Sequence, residues 1–172
     1  LPHIPRESRF KAFQSILAKT RPHAKVLNNL IAAYGHIPSQ QRPQARDAIM
    51  KWVEQLPESQ NLGISDVGAH LDKIARNLKG TDAFHDGDTT TGQMGIAQIM
   101  DLEPDKQQQK FLDKCTYISY LPNEHRLDAF IAILETTQNP VIHQRLAQAV
   151  CDLQNPDRDV GLRALLDKAP HT

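Results

Sequence analysis

A pattern of apolar, proline, arginine and small residues recurs along this chain and predicts a set of repeated helices. The first copy runs from Ile4-Pro5 through Arg9 and Ala12 to Ile16-Leu17, in the order apolar-Pro-x-x-x-Arg-x-x-Ala-x-x-x-apolar-apolar. The second copy consists of Ile37, Pro38, Arg42, Ala45, Ile49 and Met50. The third copy consists of Leu121, Pro122, Arg126, Ala129, Ile133 and Leu134. Three matches at every defined position indicate a repeated structural unit.

Two weaker copies keep the same frame. One consists of Leu153, Arg158, Gly161, Leu165 and Leu166. The other lacks the proline and the arginine and consists of Gly95, Ile99 and Met100. The motif prolines of the first two copies, Pro5 and Pro38, are 33 residues apart. A period in the thirties is typical of helix-pair repeats, in which each unit buries its apolar face by stacking on its neighbours.

We therefore predict an all-α fold of about nine or ten helices, stacked as antiparallel pairs in a HEAT-like or α-solenoid-like arrangement. Apolar residues at three- and four-residue spacing predict a core that includes Phe13, Leu17, Leu30, Trp52, Leu71, Phe111, Phe130 and Leu146. The third unit is the least regular, because Gly92 and Gly95 each cost a helix about 1 kcal/mol against Ala. The stack is thus either continuous or divided into two lobes there. No stretch alternates with period two, so we predict no strands.

Caps and helix breakers predict where individual helices begin and end. Thr20 is a suitable N-cap for the second helix, and Gly80 is a suitable stop for the fourth. Two loops between helices are then longer than the repeat period requires. These loops are Pro57 to Gly63 and Gly80 to Thr91. We expect insertions of this kind to serve binding.

Composition narrows the class of protein. With 172 residues, the chain is expected to form a single helical domain over residues 1–172. Its 20 basic and 20 acidic residues balance, so it lacks the positive charge of a general nucleic-acid binder. No apolar run approaches the roughly 18 residues that a transmembrane helix needs, and we expect no membrane partner. The chain begins at Leu1 without an initiator Met, so we expect it to be a C-terminal fragment of a longer protein.

Motifs for ordinary catalysis are missing from the sequence. It contains no H-x-x-x-H pair, no glycine-rich phosphate loop and no G-x-S-x-G elbow. The segment Asp82 to Gln93 matches a calcium loop at several positions, but Phe84 occupies the third place and Gln93 replaces the closing Glu. We interpret this segment as an acidic surface loop, and we predict no catalytic residue, metal or cofactor.

The two cysteines, Cys115 and Cys151, are too few for a disulfide framework and form no CxxC pair. Both fall on predicted core-facing stripes, Cys115 between Phe111 and Ile118 and Cys151 beside Val150. A nucleophilic thiolate needs an accessible, electropositive setting. We therefore predict two buried structural thiols.

The repeated arginines Arg9, Arg42, Arg126 and Arg158 allow two interpretations. In the first, each guanidinium donates to carbonyls that the preceding helix leaves unpaired at its C-terminus, while the stem covers apolar surface. In the second, the arginines form a ridge of cations that binds an acidic protein partner. Under the second interpretation Arg42 and Arg126 are candidate partner contacts.

The predicted loop from Gly80 to Thr91 supplies two further candidate contacts. Phe84 and His85 stand there among Asp82, Asp86 and Asp88. An exposed aromatic side chain among charges is typical of a binding surface. The alternative is a solvated loop without a binding role.

The Ile/Leu-Pro-x-x-x-Arg-x-x-Ala phrases, in a Gln- and His-rich helical chain, resemble helical repeats in type III secreted effectors of plant-pathogenic bacteria. Leu1-Pro2-His3-Ile4-Pro5 also resembles the tail of a leucine-rich repeat segment. Such an order resembles XopL-type effectors, in which a helical ubiquitin-ligase domain without a catalytic cysteine follows leucine-rich repeats. The resemblance covers four of five units and transfers no individual functional residue. It implies a protein that the bacterium secretes into the host cytoplasm, where it binds host proteins.

Two functions from different classes remain open. The first is a binding module whose ridge or groove holds a host protein. The second is a ubiquitin ligase that recruits a host ubiquitin-conjugating enzyme without forming a thioester itself. Both need an exposed apolar or charged patch, so the sequence does not separate them.

Overall fold

The computed structural model describes residues 4–57 and 64–168, and this part of the chain confirms the predicted all-α fold. Its ten α-helices are α1 (Arg9–Lys19), α2 (Ala24–Tyr34), α3 (Arg42–Glu54), α4 (Ile64–Asn77), α5 (Lys79–Asp86), α6 (Ile96–Met100), α7 (Pro104–Tyr117), α8 (Asn123–Thr136), α9 (Pro140–Ala149) and α10 (Asp157–Lys168). Short 3₁₀ turns span Arg6–Ser8, Ile118–Tyr120 and Val150–Asp152. The predicted loop from Pro57 to Gly63 lies outside the described residues apart from Pro57, as do Leu1 to His3.

The chain divides into two compact units, Leu1–Lys79 and Gly80–Thr172. In the first unit α3 packs against α1, α2 and α4. Its core includes Phe13, Leu30, Ile49, Trp52 and Leu71. In the second unit α7 packs on α9, and α8 packs on α10. Its core includes Phe84, Phe111, Phe130, Ile133 and Leu146. All the predicted core residues are buried except Leu17, which is half-buried.

The four motif arginines make the same hydrogen bond. In each, Nε donates to the backbone oxygen of the apolar residue five positions earlier, which opens the motif. The distances are 2.9 Å for Arg9 to Ile4, 3.0 Å for Arg42 to Ile37, 2.9 Å for Arg126 to Leu121 and 2.6 Å for Arg158 to Leu153. These carbonyls lie in the turns that precede the motif helices, so no N–H of those helices reaches them.

Further nitrogens of the same guanidinium groups join successive motifs. Nη1 of Arg9 donates to His36 O at 3.2 Å, and Nη1 of Arg126 donates to Asp152 O at 2.9 Å. Each acceptor is the residue directly before the apolar residue that opens the next copy. The planar guanidinium presents several donors in a fixed geometry. One arginine side chain therefore binds the turn before its own helix and the turn before the next motif helix.

The small residue three positions after each arginine allows close helix packing. Ala45 and Ala129 have no exposed surface. In the weakest of these copies the position is Gly161, where an added Cβ would lie 2.8 Å from Leu153 Cδ1 and 3.3 Å from Phe130 Cε1. A larger side chain would therefore push α10 away from α8.

The structural interpretation of the arginines agrees with these contacts. The premise of the alternative, an exposed ridge of cations, is wrong for Arg9 and Arg42, whose side chains are buried. Arg126 is half-buried and donates to three carbonyls, including Ser119 O at 2.8 Å. Arg42 and Arg126 are therefore engaged within the fold and do not present a free cationic surface.

Two predicted helix ends are wrong. Thr20 does not cap α2, because its hydroxyl bonds back to Ile16 O at 2.6 Å and ends α1. His23 is the N-cap instead, and its Nδ1 accepts from Lys25 N at 3.1 Å. Gly80 is not a stop, because α5 runs through it. Burial of Ala83 and Phe84 offsets the cost of about 1 kcal/mol that a helical glycine brings.

The prediction of no strands is also wrong, although only by a short hairpin. Gly87–Asp88 (β1) pairs antiparallel with Gln93–Met94 (β2), with Gly87 opposite Met94. Gly87 and Gly92 adopt φ values of 86° and 74°, which glycine tolerates without strain. Strands of two residues are too short to produce a visible alternation in the sequence.

Replacing Arg126 by Ala should lower the free energy of unfolding by about 2–3 kcal/mol, because three carbonyls lose a charged donor. Arg126→Lys should recover little, since one ammonium cannot span three acceptors. Urea denaturation followed by circular dichroism measures the change. The matched control is Arg163→Ala, an exposed arginine on α10 that makes no side-chain bond within the described residues, and it should shift stability by less than about 0.5 kcal/mol. Equal effects of the two alanine variants would contradict the structural role.

Candidate partner-binding site

A cleft of about 600 Å³ lies in the first unit, between the end of α1 and the face of α3. We call it the cationic groove. It is lined by Gln14, Leu17, Ala18, Lys19, Thr20, Arg21, Pro22, Ala48, Lys51, Trp52 and Gln55. Apolar and polar groups are mixed in this lining, as is usual for a site that binds a ligand or peptide.

The end of α1 shapes one wall of the cationic groove. After Thr20 ends α1 in an extended conformation, Arg21 and Pro22 belong to no helix, and His23 caps α2. Pro22 disfavours helical geometry at Arg21, so the connection does not continue α1. Arg21 is consequently exposed at the edge of the groove rather than on a helix flank.

Three cations surround the cationic groove without compensation. Lys19, Arg21 and Lys51 are exposed, and no Asp or Glu contributes to the lining. None of the three makes an ion pair or a side-chain hydrogen bond with another described residue. Like charges around a concave surface raise the local concentration of anions. The groove is therefore electropositive although the whole chain carries no net charge.

Trp52 is the tryptophan that lines the cationic groove. Its side chain is only 4% exposed, and its indole Nε1 has no hydrogen-bond partner among the described residues. A buried N–H without an acceptor costs about 1–3 kcal/mol. As a lining residue, Trp52 stands close to whatever binds in the groove.

A second cleft of about 380 Å³ lies in the second unit, and we call it the hairpin groove. It is lined by Thr91, Gly92, Gln93, Met94, Ile99, Lys110, Asp113, Lys114 and Tyr117. Tyr117 is half exposed and its ring lies 5.9 Å from that of the largely exposed Tyr120. Exposed tyrosines of this kind are frequent in protein interfaces.

Backbone geometry at Gly95 holds the hairpin against the start of α6. An added Cβ there would lie 2.5 Å from Asp86 C and 2.7 Å from His85 O, so only glycine fits. Gly95 N donates to Gln98 Oε1 at 2.8 Å. At the hairpin turn a hydrogen bond from the Thr90 hydroxyl, with another from the Thr90 N–H, lowers the pKa of Asp88. These bonds fix the loop that forms one wall of the hairpin groove.

Lys114 crosses from the wall of the hairpin groove into the core. Its Nζ donates to Phe84 O at 2.7 Å and lies 4.6 Å from the centre of the Phe84 ring. Phe84 O belongs to the last turn of α5, where carbonyls lack helical partners and a cation is favoured. Burial lowers the pKa of Lys114 to about 8. This lysine therefore connects α7 to the end of α5.

Phe84 and His85 do not lie where the sequence predicts them. Both belong to α5 and are buried, Phe84 completely, so neither is an exposed contact for a partner. The calcium-loop resemblance fails for the same reason, because Asp82 and Asp86 are helical residues. Within the described residues no group of three or more His, Cys, Asp or Glu could hold a metal.

The two cysteines differ. Cys115 is buried as predicted, and burial raises the pKa of its thiol to about 11. Cys151 is exposed, so that prediction is wrong. The helix α9 ends at Ala149, and the 3₁₀ turn that follows winds more tightly than an α-helix, which moves Cys151 off the core stripe.

The sequence contains a partial signal for the cationic groove. Lys19 and Arg21 flank Thr20, and Lys51 precedes Trp52, but the two segments are 30 residues apart. Only the packing of α1 on α3 brings them to one cleft.

Comparison with family models, with curated proteins and with solved structures finds no significant match to this chain. None of the helices in the described ranges is long and apolar enough to cross a membrane.

The stability contribution of Lys114 should depend on pH. Between about pH 8 and its usual value of 10.5, the folded protein has lost the Lys114 proton while the unfolded chain keeps it, so stability rises with pH. Relative to Lys114→Met, the wild-type protein should gain about 2–3 kcal/mol between pH 7 and pH 10. Urea denaturation at both values measures this, and the exposed Lys110→Met on the same helix is the control. A pH-independent difference would show that Lys114 is not desolvated.

Proposed function

We propose that this chain is a protein-binding module that holds an acidic segment of a partner protein in the cationic groove. The observation that carries the proposal is that three cations at this groove have no partner among the described residues. Carboxylates of the partner pair with these cations.

The mixed lining favours a peptide over a free anion. Leu17, Ala18, Pro22 and Ala48 supply apolar surface between the cations. An extended segment with acidic and apolar side chains in alternation buries both kinds of surface at once. The charges chiefly raise the association rate and the selectivity, whereas the apolar contacts slow dissociation.

We further propose that this partner is a host protein in the host cytoplasm. Support comes from the resemblance of the motif to type III effector repeats. The neutral overall charge is consistent with a selective local contact rather than general binding to nucleic acid.

Trp52 is the single tryptophan of the chain, so its fluorescence reports on the cationic groove. A short acetylated peptide rich in Glu and Leu should change this fluorescence in a saturable way, and the same peptide with Gln for every Glu should not. Lys51→Glu should weaken the binding at least about tenfold, and added salt should weaken binding to the wild type.

Lys11→Glu is the matched control, because Lys11 is exposed on α1 but does not line the cationic groove. It changes the net charge by the same amount as Lys51→Glu and should bind like the wild type. Equal losses in the two variants, or no saturable change with the acidic peptide, would rule out the groove as the site.

The ubiquitin-ligase hypothesis is a narrower form of this proposal. In it, the partner is a ubiquitin-conjugating enzyme that already carries ubiquitin. The protonated, buried Cys115 does not suit a nucleophile, so Cys151 is the cysteine on which the thioester question depends. An autoubiquitination assay with host conjugating enzymes tests the activity. Activity should persist within a few-fold in a Cys115→Ala, Cys151→Ser double variant, and a reducible thioester between ubiquitin and the exposed Cys151 would refute the mechanism.

A further inference from the structure

We propose that copies of this chain associate head to tail, with α10 of one copy stacking on α1 of the next. The contact would repeat the packing that α8 makes on α10 inside the second unit. It joins an exit face on α10, made of Leu162 and Leu166, to an entry face on α1, made of Ala12 and Ile16. Neither face lines the cationic groove, so the proposal is independent of peptide binding.

The exit face is apolar and uncovered. Leu162 and Leu166 are 48% and 62% exposed. In α8 the residues at the same places after the motif arginine are Phe130 and Leu134, with 0% and 1% exposure. Phe130 lies against Gly161 of α10. Within the chain, the corresponding face of α8 is therefore covered by the next motif helix, α10.

The hydrogen bonds of Arg158 provide a second and independent observation that favours a partner at α10. Its Nε and Nη2 donate to Leu153 O and Cys151 O, at 2.6 and 3.1 Å. In Arg9 and Arg126, Nη1 donates to the turn before the following motif. Nη1 of Arg158 has no acceptor in the described part of the chain. It is the donor that a following unit would use.

The entry face is the complementary half of the same packing. Ile16 is 43% exposed and Ala12 is half-buried. The residues at these places in α3 and α8 are Ala45, Ile49, Ala129 and Ile133, all with 0% exposure. A small residue beside a branched apolar one is what receives a neighbouring motif helix at Gly161 and Leu165 of α10.

A second copy of this chain is the partner that fits both faces. Each copy carries one exit face and one entry face, and the two differ, so the contact is heterologous. Such contacts produce rings where the rotation closes and open filaments where it does not. The internal packing of α8 on α10 shows that this motif pairs with itself.

Sedimentation velocity tests the proposal directly. The wild-type chain should show a mass that rises with concentration beyond that of a monomer. Leu166→Glu disables the exit face and Ile16→Glu disables the entry face, so each variant alone should be a monomer. A mixture of the two variants retains one intact exit face and one intact entry face, and it should form a dimer and nothing larger.

Val160→Glu is the matched control, because Val160 is exposed on α10 outside the exit face, and it should assemble like the wild type. Circular dichroism checks that all variants fold, and Leu166→Gln with Ile16→Gln provides a second pair should a glutamate disturb a helix. A wild-type chain that stays monomeric over its soluble range overturns the proposal. A mixture that stays monomeric while the wild type associates also overturns it, in favour of a symmetric contact.

Discussion

The interaction on which this fold depends is the bond from a motif arginine to the turn that precedes its own helix. Short turns between helices leave carbonyls that no backbone N–H can reach, and burying them unpaired would cost about 1–3 kcal/mol each. Arg9, Arg42, Arg126 and Arg158 each satisfy such a carbonyl by the same Nε bond. The guanidinium has donors left over, and Arg9 and Arg126 use them to hold the following turn. Stacking is therefore specified by hydrogen bonds as well as by apolar contact.

Because the motif arginines are bonded within the fold, the candidate binding site does not include them. Cations that are bonded inside the fold are poor contacts for a partner, whereas Lys19, Arg21 and Lys51 have no partners within residues 4–57 and 64–168. The electropositive surface of the first unit therefore comes from residues outside the repeat motif. In the described part of the chain, Leu162 and Leu166 of α10 are exposed and Nη1 of Arg158 has no acceptor. Binding and self-association thus arise from different parts of one repeat design.

Much of the fold could be predicted because helical periodicity is local. Of the eight core residues that the apolar spacing predicted, all but Leu17 are buried. The candidate site could not be predicted in this way. Phe84 was interpreted as exposed because charged residues and glycines surround it in sequence, yet α5 turns it inward, beneath Lys114. Local polarity does not report which face of a short helix meets the core.

The sequence by itself determined the class of fold and the repeat, because both follow from spacings within a few turns of helix. It left two interpretations of the motif arginines open, and the hydrogen bonds of the structure decided between them. The tertiary structure alone decided that Cys151 is exposed, that Lys114 is buried and that Lys19, Arg21 and Lys51 share a cleft with Trp52. These outcomes depend on where a helix ends and on which residues distant in sequence meet. Helix ends are set by competition between side-chain bonds and packing, and that competition is resolved only when the neighbouring helices are in place.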